Sequence, residues 1–169
     1  MDFLWPSVQD WVLALYIIVP TYCTNGAPVI FGGGRPVDFG KSLSDEERIL
    51  GDNKTMRGFL SGLVVGALVG IVESYLFSKN LLFVSISASL GALLGDLAGA
   101  FVKRRLKIKP GGALPLVDQL DFVLGALLLV SPFRETTLGA AVIILFVTPA
   151  IHLLTNVGAY FLGLKSTYW

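Results

Sequence analysis

The chain reads as an all-α, polytopic integral membrane protein with about five transmembrane helices and two loops on one side of the membrane. Three observations predict this. Of 169 residues, 54% are apolar and only 15% charged, against roughly 25% charged in a soluble domain. Several apolar runs reach the ~20 residues that a helix needs to cross a hydrocarbon core of about 30 Å. Ten of the 13 basic residues fall in two interhelical segments, a bias that marks cytoplasmic loops. Residues 1–169 form a single membrane-embedded domain in this reading, with no soluble second domain.

The first apolar run, Val8 to about Asn25, contains Pro20 and leads into Asn25-Gly26-Ala27-Pro28, so one helix that stops or kinks there is expected. No Lys or Arg occurs from Met1 to Gln9, and the run is read as a retained helix rather than a signal peptide. Gly58 to Phe77, Leu81 to Val102 and Thr137 to Leu164 are long enough to span. Phe122 to Phe133 is about half long enough, unless its helix begins upstream and carries Asp118 and Asp121 toward the membrane interior. Glycines at four-residue spacing, Gly58 to Gly70 and Gly91 to Gly99, predict faces where helix backbones pack closely.

Arg35, Lys41, Arg48, Lys54 and Arg57 lie between the first two helices, and Lys103, Arg104, Arg105, Lys107 and Lys109 between the third and fourth. The two short connections carry only Lys79 and Arg134. The expected topology is therefore N-terminus outside, with both long loops and the C-terminus, bearing Lys165, in the cytoplasm. Thr167-Tyr168-Trp169 reads as an interfacial anchor. A net charge of +1 gives no reason to expect nucleic acid as a partner, and the lone Cys23 excludes an intrachain disulfide and a cysteine-rich zinc site.

Carboxylates within a bilayer need a cation, a polar partner or a water-filled cavity. Asp96 sits near the middle of its apolar run, and Asp118 and Asp121, three residues apart, share a helix face. If they converge, their oxygens suit a hard divalent cation such as Mg²⁺; the bland alternative has Asp118 starting a helix and Asp96 pairing with a loop lysine. Lys103, Arg104 and Lys109 lie between these aspartates in sequence, with Gly111 and Gly112 able to offer backbone amides to phosphate. In the first loop Lys54 and Arg57 flank the start of a helix, where phosphate is attracted, although no complete phosphate-binding loop motif is present. Asn25, placed at the cytoplasmic end of the first helix, is a candidate contact for base or ribose. Glu73 is read as reaching solvent near the outer end of its helix, and His152 as a packed or hydrogen-bonded helix residue rather than a metal ligand.

Gly95-Asp96-Leu97-Ala98-Gly99-Ala100-Phe101-Val102-Lys103-Arg104, followed by Lys109-Pro110-Gly111-Gly112-Ala113-Leu114-Pro115-Leu116-Val117-Asp118-Gln119-Leu120-Asp121, resembles the signature of the CDP-archaeol synthases, archaeal relatives of the CDP-diacylglycerol synthases. Arg35-Pro36-Val37-Asp38-Phe39-Gly40-Lys41 and Gly51-Asp52-Asn53-Lys54-Thr55-Met56-Arg57-Gly58 are similar to that branch's first cytoplasmic loop. The resemblance implies cytidylyl transfer from CTP to an isoprenoid ether lipid phosphate, 2,3-bis-O-geranylgeranyl-sn-glycerol 1-phosphate, with release of pyrophosphate. It also implies Asp96, Asp118 and Asp121 at a Mg²⁺ site, and Lys103, Arg104 and Lys109 on phosphates with Lys54 and Arg57 in support. Ala100, Pro110 and Gln119 depart from the bacterial pattern in the direction of the archaeal branch. Membrane lipids are the surrounding partners, and a homodimer stays open. The rival class is an ion-coupled membrane transporter using intramembrane carboxylates, which the lack of an inverted repeat disfavours.

Overall fold

The computed structural model describes residues 6–77, 81–109, 111–133 and 136–167. Lys79, Pro110, Arg134, Tyr168 and Trp169, used above for topology, the glycine turn and the anchor, lie outside the described residues. The described chain forms α1 (Val8–Phe31), α2 (Met56–Phe77), α3 (Leu82–Arg105), α4 (Val117–Val130), a one-turn 3₁₀ helix (Ser131–Phe133) and α5 (Leu138–Phe161). α1, α2, α3 and α5 are long and apolar enough to cross a membrane. α4 has 14 residues, about 21 Å at ~1.5 Å per residue, and falls short of a full span. It does begin upstream of the apolar run, as its length deficit demanded, so Asp118 and Asp121 are helical residues.

α1 corrects one expectation. It continues through Pro20, Asn25, Gly26 and Pro28 to Phe31 instead of stopping near Asn25. Each proline removes one backbone N–H, a loss that neighbouring helices make tolerable within a membrane protein. Around the second proline the Thr24 hydroxyl lies 2.8 Å from Ser89 Oγ and 3.2 Å from Gly62 O. Pro28 rests against Gly58 of α2, and the Gly32 amide donates to Pro28 O at 2.9 Å to close the last turn. The other end of α1 has a capping box, with the Ser7 and Asp10 side chains each accepting from the other's backbone amide. Asp10 also accepts from Thr137, the N-cap of α5, so the starts of α1 and α5 are tied together.

α1 and α3 occupy the centre: α2 packs on both, α4 lies chiefly along α3, and α5 covers α1 and α4. Lipid is as apolar as these side chains, so close packing rather than expulsion from water joins the helices. The glycine faces provide it. A Cβ on Gly66 would lie 1.9 Å from Ser89 Oγ, and one on Gly91 2.3 Å from Gly125 O, so only glycine admits the neighbouring helix. Phe122, Ile17, Ile144 and Val123 fill the core between α1, α3, α4 and α5.

Glu73 corrects a second expectation. It is 6% exposed rather than open to solvent, and its Oε2 accepts from Ser85 Oγ at 3.0 Å. Gly70 lets α3 approach so closely that Ser85 faces α2, which supplies the polar partner a buried carboxyl requires.

Candidate active site

The connection between α1 and α2 is folded around one carboxylate. The Asp38 side chain, inaccessible to solvent, accepts from the Gly40, Leu50 and Gly51 amides at 2.9–3.0 Å and from Arg48 Nη2 at 2.6 Å. Burial pushes this carboxyl up, but the Arg48 guanidinium and the three amides outweigh it and hold Asp38 well below the usual carboxylate range. Val37 N donates to Lys54 O and Met56 N to Arg35 O, so the two loop segments singled out in the sequence pair with each other. Arg105, at the end of α3, donates to Asp45 and to Arg48 O, both at 2.5 Å, pinning the loop to α3.

That clamp places Lys54 over α3. Its Nζ lies 2.6 and 2.7 Å from the two oxygens of Asp96, which is nine residues before Arg105 and so about 13 Å deeper along the helix axis. In the last turn of α3, Lys103 pairs with Asp118 at 2.7 Å and stands 3.3 Å from Gly112 O. Asp118 Oδ2 accepts from the Leu114 amide at 2.9 Å, fixing the entry into α4, where Leu116 adopts φ +67°. Arg104 is 5% exposed, and its Nε has no hydrogen-bond partner among the described residues. A Cβ on Gly99 would lie 1.9 Å from Asp121 Oδ2; α3 has a gap in its side-chain surface where Asp121 sits.

These groups surround a cavity of ≈ 940 Å³ at the loop end of the bundle. It brings together Asn25, Lys54, Asp96, Lys103, Arg104, Gly111, Gly112, Asp118 and Asp121. Arg57 and Lys109 are exposed and do not line it, although both lie beside site residues in sequence. Asn25 reaches it from within α1 rather than from a loop.

The sequence reading missed one wall. His152, Asn156 and Lys165 also line the cavity; the four-residue spacing of His152 and Asn156 on α5 was the available signal. His152 packs against Phe122, with ring centroids 5.8 Å apart. Burial pushes the Lys165 ammonium below its ordinary value; Asp118 opposes this, while Lys54 and Lys103 add to it.

A second hollow, an apolar groove of ≈ 590 Å³, runs between α3 and α4. Leu94, Ala98, Leu120, Leu124 and Leu128 are among its walls, and Asp121 lines both hollows. Among the described residues, the one common to the two linings is this carboxylate.

Carboxylate oxygens facing a polar cavity are the donors that Mg²⁺ prefers. Asp96 and Asp118 each hold a lysine ammonium. Among the described residues no three His, Cys, Asp or Glu side chains are gathered into one ligand shell. The donor chemistry fits, with the lysines standing in as counter-cations.

Comparison with known proteins agrees with the geometry. The CarS-like family, described as CDP-archaeol synthase, matches residues 8–169. A CDP-archaeol synthase from Pyrococcus furiosus is 46% identical, covering 92% of this chain and 96% of its own. Those from Thermofilum pendens and Methanococcoides burtonii are 48% and 42% identical, over 90% of this chain and 78% and 100% of theirs. A solved structure described as an intramembrane enzyme for archaeal membrane lipids biosynthesis superposes with a TM-score of 0.80 at 42% identity, covering 85% of this chain and 92% of the other. The chain belongs to the CarS-like family of CDP-archaeol synthases and is a membrane-embedded nucleotidyltransferase.

Proposed function

We propose that this enzyme transfers the cytidylyl group of CTP to 2,3-bis-O-geranylgeranyl-sn-glycerol 1-phosphate in a Mg²⁺-dependent reaction. The observation that carries the reading is that Asp121 borders both the charged cavity and the apolar groove. A nucleotide triphosphate suits the first in size and charge, the hydrocarbon chains of a lipid suit the second, and the reacting phosphates then lie at the junction.

A phosphate oxygen of the lipid attacks the α-phosphorus of CTP. The new bond joins that oxygen to the α-phosphorus, the α–β bridging bond breaks, and its electron pair leaves with pyrophosphate. A phosphate monoester needs no strong base, so positioning and charge stabilisation supply most of the rate. Lys54, Lys103 and the buried Arg104 present positive charge to the phosphates, while the Gly111-Gly112 backbone lies against the cavity. Asp96, Asp118 and Asp121 would hold Mg²⁺, which when bound neutralises charge on the transferring and leaving groups. On binding, the lysines would exchange their carboxylate partners for phosphate oxygens.

Both basic loops and the Lys165 segment lie at one end of the bundle, which supports a topology with that end in the cytoplasm and the N-terminus outside. Pyrophosphate release by purified protein in detergent tests the reading. Release should require CTP, the ether lipid phosphate and Mg²⁺ together; release without the lipid would point to hydrolysis of CTP instead.

A further inference from the structure

The first loop turns sharply at the buried Asp38. Lys41 N donates to Asp38 O at 2.9 Å, and the two residues between them, Phe39 and Gly40, have φ +52° and +80°. Asn-Gly is the sequence that such a turn favours. Here a phenylalanine takes the first position, in the left-handed region that bulky residues rarely adopt, and its ring adds nothing to the core, being 53% exposed. Arg35 stacks on that ring, its guanidinium carbon 4.4 Å from the centroid. Stacking engages the face of the guanidinium and not the N–H donors in its plane. Arg35 and Lys41 are both exposed. Among the described residues neither pairs with a carboxylate, whereas Asp38, Asp45 and Asp52 are held by Arg48 and Arg105. Arg35, Phe39 and Lys41 all stand outside the lining of the cavity.

We propose that Arg35, Phe39 and Lys41 form a foot that stands in the headgroup layer of the membrane and binds acidic phospholipid. The height of the turn carries the argument. Pro36 pairs with Thr55, Val37 N donates to Lys54 O at 2.7 Å and Phe39 N to Pro36 O at 3.1 Å, so the turn is fastened beside the start of α2 at Met56. The 22 residues of α2 extend about 33 Å, against a hydrocarbon core of about 30 Å, and the headgroup layer reaches roughly 5–8 Å further on each side. A tight turn hung on Thr55 therefore lies within that layer. An aromatic ring is well placed at this depth, and each lysine or arginine there is drawn to an acidic surface. The strained backbone then has a purpose: it keeps the ring and its stacked guanidinium out of the protein and in the interface. The inference stands apart from the cytidylyl-transfer reading, since none of the three side chains lines the cavity.

The test places Phe39→Trp, in a Trp5→Phe, Trp11→Phe, Trp169→Phe background, in nanodiscs of mixed neutral and acidic phospholipid. Either the neutral or the acidic component is brominated high on its chains, and quenching of the indole reports which lipid touches position 39. The acidic lipid should quench at least about threefold more strongly than the neutral one at equal abundance. Arg35→Gln with Lys41→Gln should bring the two toward equality, and raising salt to about 0.5 M should do so in part. If the multiple tryptophan replacement does not fold, Phe39→Cys with Cys23→Ser, labelled with nitrobenzoxadiazole and quenched by spin-labelled lipids, reads the same contact. No quenching by either lipid would place the turn in water and overturn the proposal. Equal quenching by both, or an acidic preference that survives Arg35→Gln with Lys41→Gln, would overturn it as well.

Discussion

Replacing Gly99 with Ala puts a methyl group where the structure keeps a gap. The added Cβ would lie 1.9 Å from Asp121 Oδ2, 2.8 Å from its Cγ and 3.1 Å from its Cβ. The carboxylate must then retreat by at least about 1 Å, and a misplacement of that size at a reacting centre costs on the order of 100-fold in rate. Overpacking alone costs about 1–3 kcal/mol of stability, so a control is required. Gly66→Ala supplies it, because its Cβ would lie 1.9 Å from Ser89 Oγ and 2.5 Å from Thr24 Oγ1, away from the cavity. Initial rates and thermal melts in detergent separate the two effects. Gly99→Ala should lose about 100-fold in kcat/KM while a folded population persists; Gly66→Ala should lower the melting temperature and spare the rate of the folded fraction. If Gly99→Ala keeps kcat/KM within about threefold of wild type at full folding, Asp121 has no positional role and the reasoning fails.

Asp118→Asn should remove most turnover, on the order of 100-fold, while the protein stays folded; near-normal kcat in a pyrophosphate assay would defeat its assignment to the site. Arg57→Ala and Lys109→Ala should leave kcat/KM within about threefold, since neither side chain lines the cavity, whereas Arg104→Ala should cost at least ~10-fold. The reverse ranking would show the cavity to be misassigned. Removing divalent metal with a chelator should abolish transfer, and added Mg²⁺ should restore it; full activity in excess chelator would exclude the metal role. Asp38, with its depressed folded-state value, contributes stability above its unfolded pKa of about 3.9, and that contribution fades only as pH falls toward the folded value. Limited proteolysis between Lys41 and Asp52 should therefore be equally slow at pH 5 and pH 8 in wild type and faster at both in Asp38→Asn. Acid-induced opening within that window would contradict the clamp.

The long spans were legible because a bilayer imposes a length, and the runs containing Gly58–Phe77, Leu81–Val102 and Thr137–Leu164 meet it. The glycine stripes were legible because close approach in lipid demands small residues. What failed was reasoning carried over from water. Pro28 and the Asn25-Gly26 pair signal a loop in a soluble chain, but beside Gly58 and Gly62 they continue a helix. Glu73 suggested solvent because Ser85, its partner, lies across a helix contact that a single run does not reveal.

The site was legible where chemistry required charge inside an apolar run, as at Asp96, Asp118 and Asp121. It was not legible where direction decides. Lys103 and Arg104 face the cavity, whereas Lys109 and Arg57, equally basic and a few residues from site groups, do not. Lys165 reaches the cavity only through the reversal at Gly163, more than forty residues from the nearest aspartate in sequence. The resemblance supplied the nucleotide and the lipid, which spacing and composition alone do not identify.

The most direct test follows the label from CTP. With [α-³²P]CTP, the ether lipid phosphate and Mg²⁺, radioactivity should enter the organic-extractable lipid, while label from [γ-³²P]CTP should remain in the aqueous phase as pyrophosphate. Label from the γ-position in the lipid, or no lipid label from the α-position with folded protein, would contradict cytidylyl transfer at this site.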